Sequence, residues 1–227
     1  MSVEEELEAC NDIEGVLNVS ALPRDETLQC QIGESDFRPL PVPCRIRALG
    51  WYHARPLLKD RFPRDYDHTD KVLDLKQVPK QDERFLEGPV ENDTITYFYN
   101  RLHPILRDGF PITIVPAHDP LAPNWGLIKL VRRLSSDGRI DATSCIIRSR
   151  RISSQHFLCG HARCGISRQQ ELLDSIEIRD RSLIDSKVVL LLDDIVTTGA
   201  SLMACKKLLL DAGAVEVICL ALGKAAQ

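Results

Sequence analysis

The stretch VVLLLDDIVTTGAS, Val188–Ser201, decides the fold prediction, because five consecutive aliphatic residues lead into two aspartates and then into a small, hydroxyl-rich segment. A run that is apolar at every position is typical of a central strand in a parallel sheet, where both faces are covered. The residues after it repeat at helical spacing and share one face: Leu202, Cys205, Leu208, Leu209 and Ala212. The stretch therefore predicts a buried strand, a tight turn and a helix that ends at Gly213.

The rest of the second half also alternates strand and helix patterns. Ile112–Val115 and Thr143–Ile147 predict short strands, and Val215–Leu220 predicts a last one. Between the first two lies a helical face made of Leu127, Leu130, Val131 and Leu134. Residues 148–187 form a long polar segment that we interpret as a loop. This order favours an α/β fold with a parallel sheet of about five strands flanked by helices.

Composition divides the chain into three predicted parts. Residues 1–40 carry ten carboxylates against two arginines, which predicts an acidic, loosely ordered arm. Residues 41–110 are expected to form a small lobe, and residues 111–227 the α/β core. A chain of 227 residues with 44% apolar content can bury one sizeable core with such a lobe beside it.

Charge and hydropathy exclude several classes of protein. Because no run of about 18 apolar residues occurs and the N-terminus is acidic, we expect a soluble, cytoplasmic protein with no membrane partner. The net charge of −4 argues against nucleic-acid binding through a basic surface. Without a secretory signal, the eight cysteines are expected to be reduced, with Cys205 and Cys219 buried as small apolar residues.

The residues that follow the predicted strand suggest an anion site. Asp193 and Asp194 are expected at the carboxyl edge of the sheet, where ligands of such folds bind. The free N–H groups and positive dipole end of the next helix would attract a phosphate to Thr197–Ser201. The two carboxylates would then bind sugar hydroxyls or a divalent cation. Two other interpretations stay open: an ordinary strand end with Ser201 as a helix cap, or the acidic end of a Walker B strand, although no GxxxxGK[ST] loop occurs.

The stretch resembles the phosphoribosyl pyrophosphate (PRPP) motif of the type I phosphoribosyltransferases across all fourteen residues. The resemblance implies a transferase that binds PRPP with Mg²⁺, joins its phosphoribosyl group to a nitrogenous base and releases pyrophosphate. Asp193 and Asp194 would contact the ribose hydroxyls, take part in catalysis and hold Mg²⁺, directly or through water. The implied PRPP-binding residues are Asp193, Asp194, Ile195, Val196, Thr197, Thr198, Gly199, Ala200 and Ser201.

Within that family the chain is most similar to the ComF-like branch over residues 45–227. The shared order comprises ALGWYHARP (Ala48–Pro56), KVLDLK (Lys71–Lys76) and ITIVPAHDP (Ile112–Pro120). In this branch residues 41–110 would form a hood that selects the base, and Lys76 would either reach the site or lie on a helix surface. The four-cysteine zinc ribbon of many ComF-like proteins is absent from the sequence. The strand at Ile112 runs into a loop that begins with Val115 and Pro116, called here the Val-Pro loop. The family's glycine- and asparagine-containing turn after this loop is matched only loosely by the sequence PNWG, residues 123–126.

A basic segment supplies the predicted pyrophosphate side. Arg148–Arg168 contains five arginines and no carboxylate, and the family keeps a closing loop there. The residues expected around pyrophosphate are Ala117, His118, Arg148 and Arg151, with Arg151 and Arg163 assigned to catalysis. Cationic donors at these positions would stabilise the charge on the leaving group.

Other interpretations remain open for the same residues. The segment also spells HxxCxHxxC, with the candidate metal ligands His156, Cys159, His161 and Cys164, although this spacing is not a common zinc pattern. Instead of an enzyme, the chain could be a PRPP or nucleotide sensor, or a ComF-like factor linked to DNA uptake. Neither the base nor a homodimer is determined by the sequence.

Overall fold

A computed structural model describes residues 46–53, 63–77, 93–152 and 165–225. The predicted acidic arm, residues 1–40, lies outside these ranges. The strands are β1 (Ile46–Ala48), β2 (Trp51–Tyr52), β3 (Pro111–Ile114), β4 (Ile140–Asp141), β5 (Ile146–Arg148), β6 (Ile176–Ile178), β7 (Val188–Val196) and β8 (Glu216–Ala225). The α-helices are α1 (Pro63–Gln77), α2 (Asp93–Leu102), α3 (Trp125–Ser135), α4 (Gly165–Asp174) and α5 (Ala200–Asp211). Short 3₁₀ helices lie at His103–Ile105 and Arg181–Leu183.

The main sheet is parallel and has β7 at its centre. Its strand order is β1-β8-β7-β3-β4, and β2 also pairs with β8 in parallel, on the same side as β1. The expected α/β architecture, a parallel sheet flanked by helices, is confirmed. The strands at Ile112–Val115, Val188–Leu192 and Val215–Leu220 are found at those places, and the last two are longer than predicted.

The continuous aliphatic run in β7 serves two cores, as its sequence implied. Leu190 and Leu192 pack on the face that carries α1, α2 and α3, whereas Val189 and Leu191 pack on the face that carries α5. Successive side chains of a strand point to opposite faces, so only an uninterrupted run can fill both cores. The four side chains are at most 1% exposed.

Two predictions for the region between β3 and β7 are wrong. Thr143–Ile147 does not supply a strand of the parallel sheet: the adjacent β4 does, and β5 instead pairs antiparallel with β6. Residues 148–187 are not one polar loop either, because they contain α4 and β6. The helix was missed because its buried contact is short, with Leu172 packed against Ile152 and Ala204.

The described parts of residues 41–110 share the core of the rest. Both β1 and β2 extend the main sheet, while Val72 and Leu75 of α1 and Phe98 of α2 are buried in the same cluster as Leu127 of α3. Among the described residues, the expected boundary at residue 110 therefore does not separate two cores. None of the described helices is long and apolar enough to cross a membrane.

Candidate phosphate-binding site

The carboxylate pair, Asp193 and Asp194, lies in the part of β7 that extends beyond its pairing with β3. Pairing with β3 ends at Leu192, but pairing with β8 continues through Asp193 and Ile195 to Val196. Asp193 and Asp194 are therefore inside the strand rather than beyond its end, and both side chains are half-buried. On the β3 side, the edge of the strand becomes available at these two aspartates.

The turn after β7 has the geometry expected of an anion cradle. Gly199 has φ of +81° and precedes the first residue of α5, Ala200. A side chain at this left-handed position would strain the backbone, so glycine is favoured there. Thr197 and Thr198 are exposed, and the N–H of Ala200 lies 3.4 Å from the Thr198 hydroxyl. The first turn of a twelve-residue helix, where backbone N–H groups have no partner within the helix, thus lies beside two exposed threonines.

A buried lysine underlies this turn and was not expected from the sequence. Lys224 of β8 is 7% exposed, and its Nζ donates to the carbonyl oxygen of Thr197 at 2.6 Å. Because β8 is paired with β7 up to this residue, opposite Val196, the ammonium is delivered directly under the turn. Its charge adds to the positive helix end in attracting an anion. A lysine within the otherwise apolar segment VICLALGKA was the available signal.

Two of the predicted binding residues, Ile195 and Val196, have side chains that pack against the cores of the protein. Val196 is 2% exposed and packs in the core on the α5 face. Ile195 packs against the opposite core, and its N–H donates to Asp194 Oδ1 at 2.6 Å. With both side chains packed inside, the two residues fix the path of the strand into the turn.

Asp194 is held by donors from three separate elements. Its Oδ2 accepts from Asn124 Nδ2 at 3.0 Å and lies 3.3 Å from Lys76 Nζ at the end of α1. Together with the N–H of Ile195 on Oδ1, these contacts fix the carboxylate in one orientation. Lys76 therefore reaches the site, which was one of its two expected positions.

Asp193 has a different environment from its neighbour. Its Oδ1 accepts from the N–H of Asp194 at 2.9 Å. Burial, followed by the negative charge of Asp194, raises the pKa of Asp193 well above its usual range, while that hydrogen bond and Lys76 oppose the shift. Asp193 therefore holds its proton more readily than an ordinary aspartate, and a cation bound beside it would favour the ionised form.

The approach of Lys76 depends on a glycine in α3. Asn124 caps this helix by accepting from the N–H of Leu127 at 3.1 Å, and the same side chain donates to Asp194. A Cβ on Gly126 would lie 2.1 Å from the carbonyl oxygen of Leu75. Only glycine permits this approach, which brings the last turn of α1, and with it Lys76, next to Asp194.

On the predicted pyrophosphate side, Arg148 braces a loop. Its guanidinium is buried and donates to the carbonyl oxygens of Pro116 and Ala117, each at 3.1 Å, and to Ser175 Oγ at 2.5 Å. Burial lowers the pKa of Arg148, and these three acceptors compensate for the lost hydration. Arg148 thus positions the Val-Pro loop instead of pointing its donors at a ligand, which differs from the predicted role.

The other residues expected on this side meet at the same loop. The N–H of Ile152 donates to the carbonyl oxygen of His118 at 3.0 Å, and Arg151 Nε lies 3.4 Å from Asp119 Oδ2. The side chain of Arg151 is 73% exposed. Its charge is therefore placed over the loop but remains accessible to a ligand. Arg163 and the proposed metal ligands His156, Cys159, His161 and Cys164 lie outside the described residues.

The adjacent carboxylates fit a magnesium ion whose other ligands would come from a substrate and from water. Across the described ranges, no group of three or more His, Cys, Asp and Glu side chains could hold a metal by itself. Mg²⁺ commonly takes one or two protein carboxylates and completes its shell with phosphate oxygens and water. Asp193 and Asp194 are two such carboxylates, and they lie beside the turn at Thr197–Ser201.

No family model, curated protein or solved structure matches this chain. The assignment of a function therefore depends on the residues of the site and their geometry.

Proposed function

We propose that the chain is a type I phosphoribosyltransferase-like protein that binds PRPP with Mg²⁺ and transfers its phosphoribosyl group to a nitrogenous base. The observation that carries the proposal is the pair Asp193–Asp194 on β7, followed by a turn in which the left-handed Gly199 precedes α5. A helix start attracts an anion, whereas two carboxylates repel one. A ligand that satisfies both must carry a phosphate at one end and hydroxyls or a cation at the other, as PRPP does.

The turn and the carboxylate pair would bind different parts of the ligand. Thr197–Ser201 would hold the 5-phosphate through backbone N–H groups and hydroxyls, with the Lys224 charge beneath them. Asp194 is already oriented by Asn124 and would accept from a ribose hydroxyl. Asp193 precedes it in the same strand and would accept from the second hydroxyl or take part in cation binding.

Transfer requires the bond between C1 of the sugar and the pyrophosphate to break as the base nitrogen bonds to C1. Mg²⁺, when bound, neutralises charge on the leaving pyrophosphate. The loop at Ala117 and His118 would lie beside this group, and Arg148 keeps the carbonyls of the loop turned inward. Arg151 is the exposed cation at this loop and would stabilise the departing charge.

Calorimetric titration with PRPP tests the proposal, followed by a screen of bases for pyrophosphate release. We expect PRPP to bind in the presence of Mg²⁺ and to bind much more weakly in a chelator, since its pyrophosphate needs a divalent partner. Ribose 5-phosphate should bind without Mg²⁺, because its phosphate uses the turn alone. Absence of binding by either compound would refute the assignment.

A PRPP sensor without transferase chemistry is a second candidate, and one observation favours it. Among the described residues, the Arg148 guanidinium donates to loop carbonyls, and the charge of Arg151, although exposed, is shared with Asp119, which reduces the positive charge offered to pyrophosphate. In an enzyme, Arg151→Ala and Arg163→Ala should lower turnover more than PRPP affinity, by about tenfold or 1.4 kcal/mol for at least one of them. A protein that binds PRPP but releases no pyrophosphate with any base would be a sensor.

A further inference from the structure

Lys76 and Asp194 form a contact that the proposed chemistry does not require. Lys76 Nζ lies 3.3 Å from Asp194 Oδ2, and the same oxygen accepts from Asn124. The lysine side chain is 40% exposed, while that of Asp194 is 18% exposed. The carboxylate that would serve sugar and cation is therefore already neutralised by a residue more than one hundred positions earlier in the chain.

The packing shows that this contact is built into the fold. Gly126 lets α1 and α3 touch through their backbones immediately before Lys76, and Leu75 is fully buried. The base of the Lys76 side chain is thus fixed, whereas its flexible stem leaves the ammonium free to change partners. A partly exposed ion pair contributes little to stability, so an incoming ligand can break it at modest cost.

We propose that Lys76 is a specificity-determining counter-ion, which occupies Asp194 until Mg²⁺ and a polyphosphate arrive together. This inference rests on the proposed function. An ammonium and Mg²⁺ compete for Oδ2 because the two positive charges repel each other at such short range. Free Mg²⁺ must displace Lys76 without compensation and binds weakly. When pyrophosphate oxygens accompany the metal, the ammonium transfers to them, so metal and anion favour each other's binding.

Two binding measurements on Lys76→Met test this coupling. Mn²⁺, a paramagnetic substitute for Mg²⁺, is titrated into the full chain without other ligands and followed by electron paramagnetic resonance. We expect the variant to bind Mn²⁺ about three- to tenfold more tightly than the wild type, because the competing charge is gone. PRPP is then titrated calorimetrically at saturating Mg²⁺, where the variant should bind about threefold or more weakly.

The chain offers a matched control. Lys207 forms a surface pair with Asp211 at 2.6 Å, and its side chain is 44% exposed. Lys207→Met removes the same charge and the same kind of ion pair, so it should change neither affinity. Lys76→Arg keeps a cation beside Asp194 and should leave Mn²⁺ binding as weak as in the wild type.

The two arms separate failure of this inference from failure of the proposed function. Equal Mn²⁺ affinity in wild type and Lys76→Met, including no binding in either, overturns the counter-ion role whatever PRPP does. Tighter Mn²⁺ binding with unchanged PRPP affinity overturns the transfer of the ammonium to pyrophosphate. Tighter Mn²⁺ binding in a protein that does not bind PRPP at all supports the competition and refutes the phosphoribosyltransferase assignment.

Discussion

Gly126→Ala tests whether the approach of α1 to α3 determines the site. The added Cβ would lie 2.1 Å from the Leu75 carbonyl oxygen and 2.7 Å from Leu75 Cγ. Ordinary contacts begin near 3.4 Å, so the two helices must separate by about 1.3 Å. Because the base of the Lys76 side chain moves with α1, its Nζ must reach further to keep the 3.3 Å contact with Asp194 Oδ2, and the ion pair should weaken.

The sign of the stability change distinguishes crowding from helix propensity. Replacing a helical glycine by alanine stabilises an uncrowded helix by up to about 1 kcal/mol. Overpacking a buried contact costs about 1 to 3 kcal/mol. Because Gly126 is buried against the backbone of α1, we expect the cost to dominate and the free energy of unfolding to fall by about 1 to 2 kcal/mol.

Urea denaturation measures the stability, and Mn²⁺ titration measures the release of Asp194. Gly109→Ala is the control, since Gly109 has φ of +80° with nothing within 4 Å of its Cβ position. It should lose about 1 kcal/mol through backbone strain but leave Mn²⁺ affinity unchanged. A Gly126→Ala protein as stable as the wild type would refute the close approach of α1 to α3. Reduced stability without tighter Mn²⁺ binding would show that this approach does not control the contact between Lys76 and Asp194.

Three further predictions concern other parts of the site. Gly199→Val should weaken ribose 5-phosphate binding at least about tenfold in calorimetry, because φ of +81° disfavours a branched side chain. The control Gly213→Val, at the other end of α5, should leave that affinity unchanged. A larger loss of affinity in Gly213→Val than in Gly199→Val would show that the turn is not part of the site. Lys224→Met should weaken inorganic phosphate binding several-fold and lower the free energy of unfolding by about 1.5 to 3 kcal/mol, and unchanged phosphate affinity would contradict the role of its charge under Thr197. Burial raises the pKa of Cys205 to about 12, so at pH 8 its thiol should escape iodoacetamide in the native protein and react after denaturation; native labelling, mapped by mass spectrometry, would disprove that burial.

The main sheet and the turn could be predicted because their signals are local. The run Val188–Leu192 indicates a strand covered on both faces, and its side chains do fill two cores. The turn needs a residue with positive φ, which favours glycine, so Gly199 alone marks where the turn lies. Strand ends were predicted less well, because β7 continues to Val196 only through pairing with β8, and this pairing is not visible in β7 alone.

The contacts that complete the site could not be predicted, because they join distant parts of the chain. Lys76, Asn124 and Asp194 meet only after three elements have packed. The sequence placed Lys76 either at the site or on a surface, since a lysine at the end of a helix is compatible with both. Arg148 looked like a ligand contact because a basic segment says nothing about burial, and only the fold shows its donors on loop carbonyls.

Two buried cations support the proposed binding of a multiply charged anion beside an acidic strand end. Lys224 is fixed on the Thr197 carbonyl and Arg148 on the carbonyls of Pro116 and Ala117, so one stabilises the turn after β7 and the other the loop after β3. Both charges are set in the protein before any ligand arrives, and neither needs to reorganise when an anion binds. Lys76 differs, because its ammonium is partly exposed and its partner is the carboxylate itself. Fixed cations can attract a phosphate but cannot respond to a metal, so among the described cations of the site we assign the proposed coupling between metal and anion to Lys76.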